Sequence, residues 1–217
     1  MKTYKDFEST LHPIATIATQ KTKYTNDFSK EFEYIKKLEY ASVQEKRDKE
    51  NKDKKSEDLR NLGFANTMVR TSVDDYVVHK KPLQNLKNFF TEALNDYTKN
   101  VLYSDEKLVI VNSWVSKSEQ GDATEPHKHL SIVNGVFYFN VPDDKTPLVF
   151  DTYNCLNERY DVVNKVNTGD LILFPNELSH WVPSNPNKEV RYCLAFSTIA
   201  EEEYNRMKEI VKSHKTK

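Results

Sequence analysis

The spacing of apolar residues changes near residue 106. Before that point they recur three and four apart; after it they come in short runs broken by turn residues. Phe28, Phe32, Ile35 and Leu38 mark one face of a helix. A second helix is predicted from Leu83 to Tyr97, with Pro82 suited to a first helical position and Leu83, Leu86, Phe89, Phe90 and Leu94 forming the apolar face. Between the two, Gln44 to Arg60 is dominated by Lys, Glu, Asp and Arg of mixed sign, the pattern of a solvated helical extension or a loop.

From Lys107 the pattern becomes that of strands. Leu108–Val111, Val136–Phe139, Leu148–Phe150, Tyr160–Val163, Leu171–Phe174 and Tyr192–Phe196 are short apolar or alternating runs. Gly121-Asp122, Pro142 to Asp144, Thr168 to Asp170 and Asn185 to Asn187 punctuate them. Several strands without helices between them point to a sandwich or barrel rather than a parallel sheet. Glu201 to Lys212 returns to helix, with Tyr204, Met207, Ile210 and Val211 on one side. The expected fold class is mainly β with flanking helices. A helical N-terminal region over residues 1–105 packs on a β core over 106–200, and a C-terminal helix over 201–217 closes the chain.

Composition narrows the function classes. Charged residues make up 30% of the 217 positions, yet the net charge is −1, so nothing in the totals calls for nucleic acid or an acidic membrane surface. No apolar run approaches the length of a membrane span, and the first residues lack the apolar stretch of a secretion signal. Two cysteines, Cys155 and Cys193, suggest neither a disulfide framework nor a zinc ribbon. A protein of the reducing cytoplasm is expected, with its oligomeric state left open.

Pro126-His-Lys-His129 is the strongest chemical cluster. In an extended segment, residues two apart share a face, so both imidazoles can reach one metal ion. The chain has six histidines, so the pair alone says little; it gains weight from His180, a third candidate ligand, and from Arg191 eleven residues later. Alternation puts Arg191, Cys193, Ala195 and Ser197 on one strand face, small and polar as a cavity wall is. Tyr192, Leu194 and Phe196 form the other, bulky as a core is. A guanidinium at a cavity holds a carboxylate by two parallel hydrogen bonds.

Together these elements resemble the 2-oxoglutarate- and Fe(II)-dependent oxygenases. The resemblance runs from residue 107 to 198 through Asn112-Ser-Trp114, His127-Lys-His129, Ser131 to Tyr138, Val141-Pro142, Gly169 to Pro175, His180 and Arg191. It implies a double-stranded β-helix, or jelly roll, preceded by a helical region. It also implies that His127 and His180 bind Fe(II) and that Arg191 clamps the distal carboxylate of 2-oxoglutarate, with Tyr138 or Asn112 adding a hydrogen bond. The activity implied is hydroxylation of a small molecule or peptide by dioxygen, with 2-oxoglutarate decarboxylated to succinate. The sequence departs from the family at the middle ligand, where His129 replaces a carboxylate. Either His129 completes a three-histidine site, or Asp122 or Glu125 swings in.

Two rival readings remain at this level. A cupin-like three-histidine metal enzyme would need no 2-oxoglutarate, although it would leave Arg191 without a task and would place Asn134 near that family's Glu. A jelly-roll binding module without catalysis is the other. Nothing in the sequence names the substrate.

Overall fold

A computed structural model describes residues 8–9, 18–42, 45–46, 69–142, 146–153 and 159–215. Most of the charged segment Gln44 to Arg60 lies outside them. In chain order the elements are β1 (Glu8–Ser9), β2 (Gln20–Lys23), α1 (Ser29–Lys36), β3 (Tyr40–Ala41), β4 (Arg70–Ser72) and α2 (Gln84–Asn100). They continue with β5 (Leu108–Ser118), β6 (Thr124–His127), β7 (Val133–Asn140), β8 (Leu148–Tyr153), β9 (Arg159–Asn164), β10 (Asp170–Pro175), β11 (Ser179–Val182), β12 (Arg191–Ala200) and α3 (Glu201–Lys215).

Apart from the β8–β9 hairpin, whose two strands share a sheet, the strands from β5 onward alternate between two antiparallel sheets. One has the order β1-β2-β10-β7-β12-β5-β4-β3 and the other β6-β11-β8-β9. Successive strands cross from sheet to sheet, which is the winding of a jelly roll. The six runs read from the sequence all fall on strands, and both amphipathic stretches are helical.

The first 105 residues depart from the expected helical region. They hold α1 and α2, but also four short strands, and these extend the larger sheet at both edges. β2 pairs with β10, while β4 pairs with β5. Their sequences, such as Gln20-Lys-Thr-Lys23 and Arg70-Thr-Ser72, carry no apolar alternation, and the residues they bury, Gln20, Thr22 and Ser72, are polar.

Two apolar cores follow from the alternation. On the outer face of the large sheet, Leu108, Ile110, Val115, Phe137, Phe139, Leu171, Leu173, Leu194 and Phe196 pack against Ile35 of α1 and Leu86, Phe89, Phe90, Ala93, Leu94 and Tyr97 of α2. Phe90 stacks on Phe196 at 5.2 Å between ring centroids. Between the two sheets lies a smaller core of Val136, Tyr138, Leu148, Phe150, Val162, Ile172, Phe174 and Cys193. This inner layer holds the candidate site. Gly135 is required where the outer core closes, since a Cβ there would lie 2.1 Å from Cζ of Phe196.

The C-terminal stretch is helical, as α3. Its first residue is tied to the sheet by Glu201 N–H donating to the Lys107 carbonyl at 2.8 Å. Met207, Ile210 and Val211 remain about half exposed. Among the described residues, no helix is long and apolar enough to cross a membrane.

Candidate metal centre

His127 ends β6 and His180 lies in β11, and the two are directly paired across the antiparallel ladder. Directly opposed residues point to the same side of a sheet, so both rings enter the space between the sheets. His129 follows in the segment after β6. The potential ligand atoms of His127, His129 and His180 all lie within 4.8 Å of one another. Neither Asp122 nor Glu125 belongs to this cluster. Asp122 Oδ2 instead accepts the Glu119 N–H at 2.8 Å, which holds the carboxylate in its own turn. Among the described residues, the third group beside His127 and His180 is therefore the imidazole of His129.

Two of the rings are braced alike. Nδ1 of His127 lies 2.8 Å from the Glu125 carbonyl, and Nδ1 of His180 lies 3.2 Å from the Leu178 carbonyl. A carbonyl can only accept, so Nδ1 carries the proton in both and Nε2 is left with a free lone pair. His180 is 5% exposed and packs edge-on to Phe174 at 4.8 Å. His129 makes no hydrogen bond among the described residues; its ring lies 5.2 Å from the Trp114 ring.

All three imidazoles are held neutral. Burial pushes His180 down to about 3, with further lowering from His127 and His129. Burial and the neighbouring His127 push His129 down to about 4. His127 is lowered by burial, partly offset by the main-chain groups of Glu125 and His180. Neutral, convergent imidazoles are the form in which histidine binds a divalent metal.

Arg191, 3% exposed, stands at the start of β12. Its Nη1 donates to the Thr146 carbonyl at 3.0 Å, and its guanidinium carbon lies 5.9 Å from the Tyr138 ring centroid. Among the described residues no carboxylate pairs with it. Arg191 Nε, Tyr138 Oη and Thr146 Oγ1 are all buried without a hydrogen-bond partner. Burial pushes the Tyr138 hydroxyl up and keeps it protonated. Two orphaned hydroxyls beside a guanidinium that has no carboxylate partner among the described residues form a setting suited to an anion with several acceptor oxygens.

The alternation read along β12 is observed. Cys193 lies in the inner core with Tyr138, while Leu194 and Phe196 join the outer one. Cys193 is a free, buried thiol, raised chiefly by that burial. Asn112 pairs with Ser197, and Arg191 pairs with Ser118. Asn112 and Arg191 thus stand at opposite ends of the inner face, about 20 Å apart along the strands. Its Oδ1 too is buried and unpartnered.

Sequence reasoning missed Thr146, which supplies the main-chain acceptor for Arg191. It also missed Asn134, whose Oδ1 accepts from Ser131 and Ser197 hydroxyls at 2.9 and 3.1 Å. Asn134 thereby ties the segment after His129 to β12. A small polar residue in an otherwise apolar strand was the available signal.

Residues 112–197 match the model of a family described as "Putative 2OG-Fe(II) oxygenase". No curated protein matches the sequence. Among solved structures, a 2OG-Fe(II) oxygenase-family oxidoreductase from Burkholderia pseudomallei is similar, with 10% identity over 83% of each chain and a TM-score of 0.58. HygX from Streptomyces hygroscopicus, solved with nickel, 2-oxoglutarate and hygromycin B bound, shares 10% identity over 84% of this chain and 82% of its own, with a TM-score of 0.55. The viral collagen prolyl hydroxylase of Paramecium Bursaria Chlorella virus-1, solved as its 2OG complex, shares 10% identity over 83% of this chain and 94% of its own, at a TM-score of 0.53. At these identities the likeness is one of fold.

Proposed function

With the β core assigned to the 2OG-Fe(II) oxygenase family, we propose that this protein is an Fe(II)- and 2-oxoglutarate-dependent oxygenase that hydroxylates its substrate. The observation carrying this reading is the joint presence, between two sheets, of three convergent neutral imidazoles and a buried guanidinium with no described carboxylate partner.

His127, His129 and His180 are the metal ligands. Their neutrality at pH 7 means that a metal ion need not displace protons from them. Arg191 holds the distal carboxylate of 2-oxoglutarate, and the Tyr138 hydroxyl, kept protonated by burial, donates to the same group. Asn112 lies about 20 Å from Arg191 along the strands, farther than one 2-oxoglutarate spans, so it is given no bond to a cosubstrate clamped there. Bound Fe(II) and 2-oxoglutarate supply the activation of dioxygen, with the cosubstrate leaving as succinate and carbon dioxide.

The chain's own share is placement and exclusion of water. Val136, Phe150 and Phe174 wall the space between the sheets and keep it apolar, so the fixed charge of Arg191 acts at low dielectric. Three imidazoles also leave the metal one charge more positive than two imidazoles and a carboxylate would, which favours a dianionic cosubstrate. The substrate is a small molecule or a peptide.

Incubation with Fe(II), 2-oxoglutarate and air tests the proposal. Succinate above the protein-free background, abolished by a chelator, is the expected result; succinate equal to background contradicts it. One observation favours a second reading. His129 in place of a carboxylate also suits a cupin-like three-histidine enzyme, in which Arg191 would bind a carboxylate of the substrate itself.

A further inference from the structure

The three imidazoles are not equivalent in how the protein holds them. His127 and His180 each donate Nδ1–H to the main-chain carbonyl two residues earlier, which fixes both tautomer and ring plane. Each also sits in a hydrogen-bonded strand. His129 has neither support. It lies beyond the end of β6, and no described group accepts from or donates to its ring nitrogens.

What His129 has instead is an aromatic neighbour. Trp114 lies on β5, with its ring centroid 5.2 Å from that of His129 at an interplanar angle of 57°. Trp114 is paired with Ala195 across the ladder, and that small residue leaves room for the indole on the inner face. The His129 ring also lies 4.8 Å from the His127 ring and 5.2 Å from the His180 ring. The indole is thus the packing partner that keeps His129 turned toward the other two rings.

Resting on the metal-centre reading above, we propose that Trp114 is the positioning residue for His129, and that His129 is the exchangeable member of the three ligands. A ligating histidine ordinarily gives its remote N–H to an acceptor, which raises its basicity and holds its direction. Lacking that bond, His129 is the weaker donor to a metal, and packing against the indole takes the place of a hydrogen bond in opposing its rotation away. The site then consists of two rigid ligands and one that yields first to an incoming donor atom.

Cobalt(II) serves as the probe, because its visible spectrum reports coordination number and geometry without turnover. The comparison uses the full chain as native protein, Trp114→Phe, Trp114→Leu and His129→Ala, each checked for folding by circular dichroism. Trp114→Leu should weaken Co(II) binding by about 10–100-fold, and its saturated spectrum should move toward that of His129→Ala. Trp114→Phe, which keeps a ring, should restore most of the native affinity and spectrum. A folded Trp114→Leu protein with native affinity and spectrum overturns the proposal while leaving the metal centre intact. A native protein that takes up no Co(II) overturns the metal-centre reading, and this inference with it. Imidazole nitrogen NMR on the metal-free native protein supplies a check that needs no variant. His127 and His180 should show a single Nδ1–H tautomer and His129 a mixture, whereas a single Nδ1–H tautomer at His129 would overturn the claim that it is unbraced.

Discussion

His127 and His180 stand directly opposite each other on β6 and β11, with ring centroids 4.3 Å apart. The pairing joins two segments more than fifty residues apart in sequence, and it depends on the crossings of a jelly roll rather than on any local motif. His180 is the more buried of the pair and is also flanked by Phe150 across the ladder to β8. Replacing it should therefore remove the fixed centre of the cluster. His180→Ala is expected to abolish stoichiometric metal binding while the protein stays folded. Metal content after dialysis against Fe(II) or Co(II), read beside circular dichroism, checks this; unchanged stoichiometry would remove His180 from the site.

Arg191 provides a separate test of the anion pocket. Arg191→Met keeps volume and removes the charge, leaving a bound carboxylate buried without its partner. Metal affinity should be unchanged, and 2-oxoglutarate affinity should fall by about 100-fold or more. Calorimetry with the metal-loaded variant measures both. Equal 2-oxoglutarate affinity in the two proteins would free Arg191 from its proposed role.

The histidine cluster also sets an acid sensitivity. His129 and His180 are depressed in the folded state to about 4 and about 3, against 6.5 for the free side chain. Between those values the unfolded chain binds more protons than the folded one, so stability rises with pH. The metal-free protein should therefore be fully stabilised by these groups above about pH 6.5 and lose that contribution as pH falls toward 3. Thermal melts across this range check the direction, and His180→Ala should flatten the slope. An unchanged slope in the variant would contradict the buried neutral state.

At Gly135 the tightness of the outer core becomes measurable. A methyl there would meet the Phe196 ring at 2.1–2.6 Å, and Phe196 is pinned in turn against Phe90. Gly135→Ala should destabilise the protein by about 1–3 kcal/mol through overpacking. Urea unfolding measures it, and Gly135→Ala with Phe196→Leu should recover part of the loss. A stability equal to native would show that Phe196 has room to move.

Much of the core was legible because its strands bury one face. Leu194 and Phe196 alternate with Cys193 and Ala195, and that alternation alone told the outer face of β12 from the inner one. β6 and β11 were not legible as strands. Thr-Glu-Pro-His and Ser-His-Trp-Val carry the clustered histidines rather than an apolar stripe, so the signal that reveals a strand is absent at the candidate site. The peripheral strands β1 to β4 were hidden for a related reason, being polar and short. The metal cluster was legible from residue type, since His127, His129 and His180 bring their own chemistry. Thr146 and Asn134 were not, because an isolated Thr or Asn reads first as a turn or surface residue. Their roles come from being buried beside Arg191 and Ser131.

The account turns on whether the guanidinium and the imidazoles bind one cosubstrate between them. Anaerobic titration of the Fe(II)-loaded protein with 2-oxoglutarate tests this most directly, through the weak visible charge-transfer band that appears when a keto acid chelates iron. A saturable band in the native protein, much weaker at the same concentration in Arg191→Met, is the predicted result. Stoichiometric iron with no band at any 2-oxoglutarate concentration would contradict it.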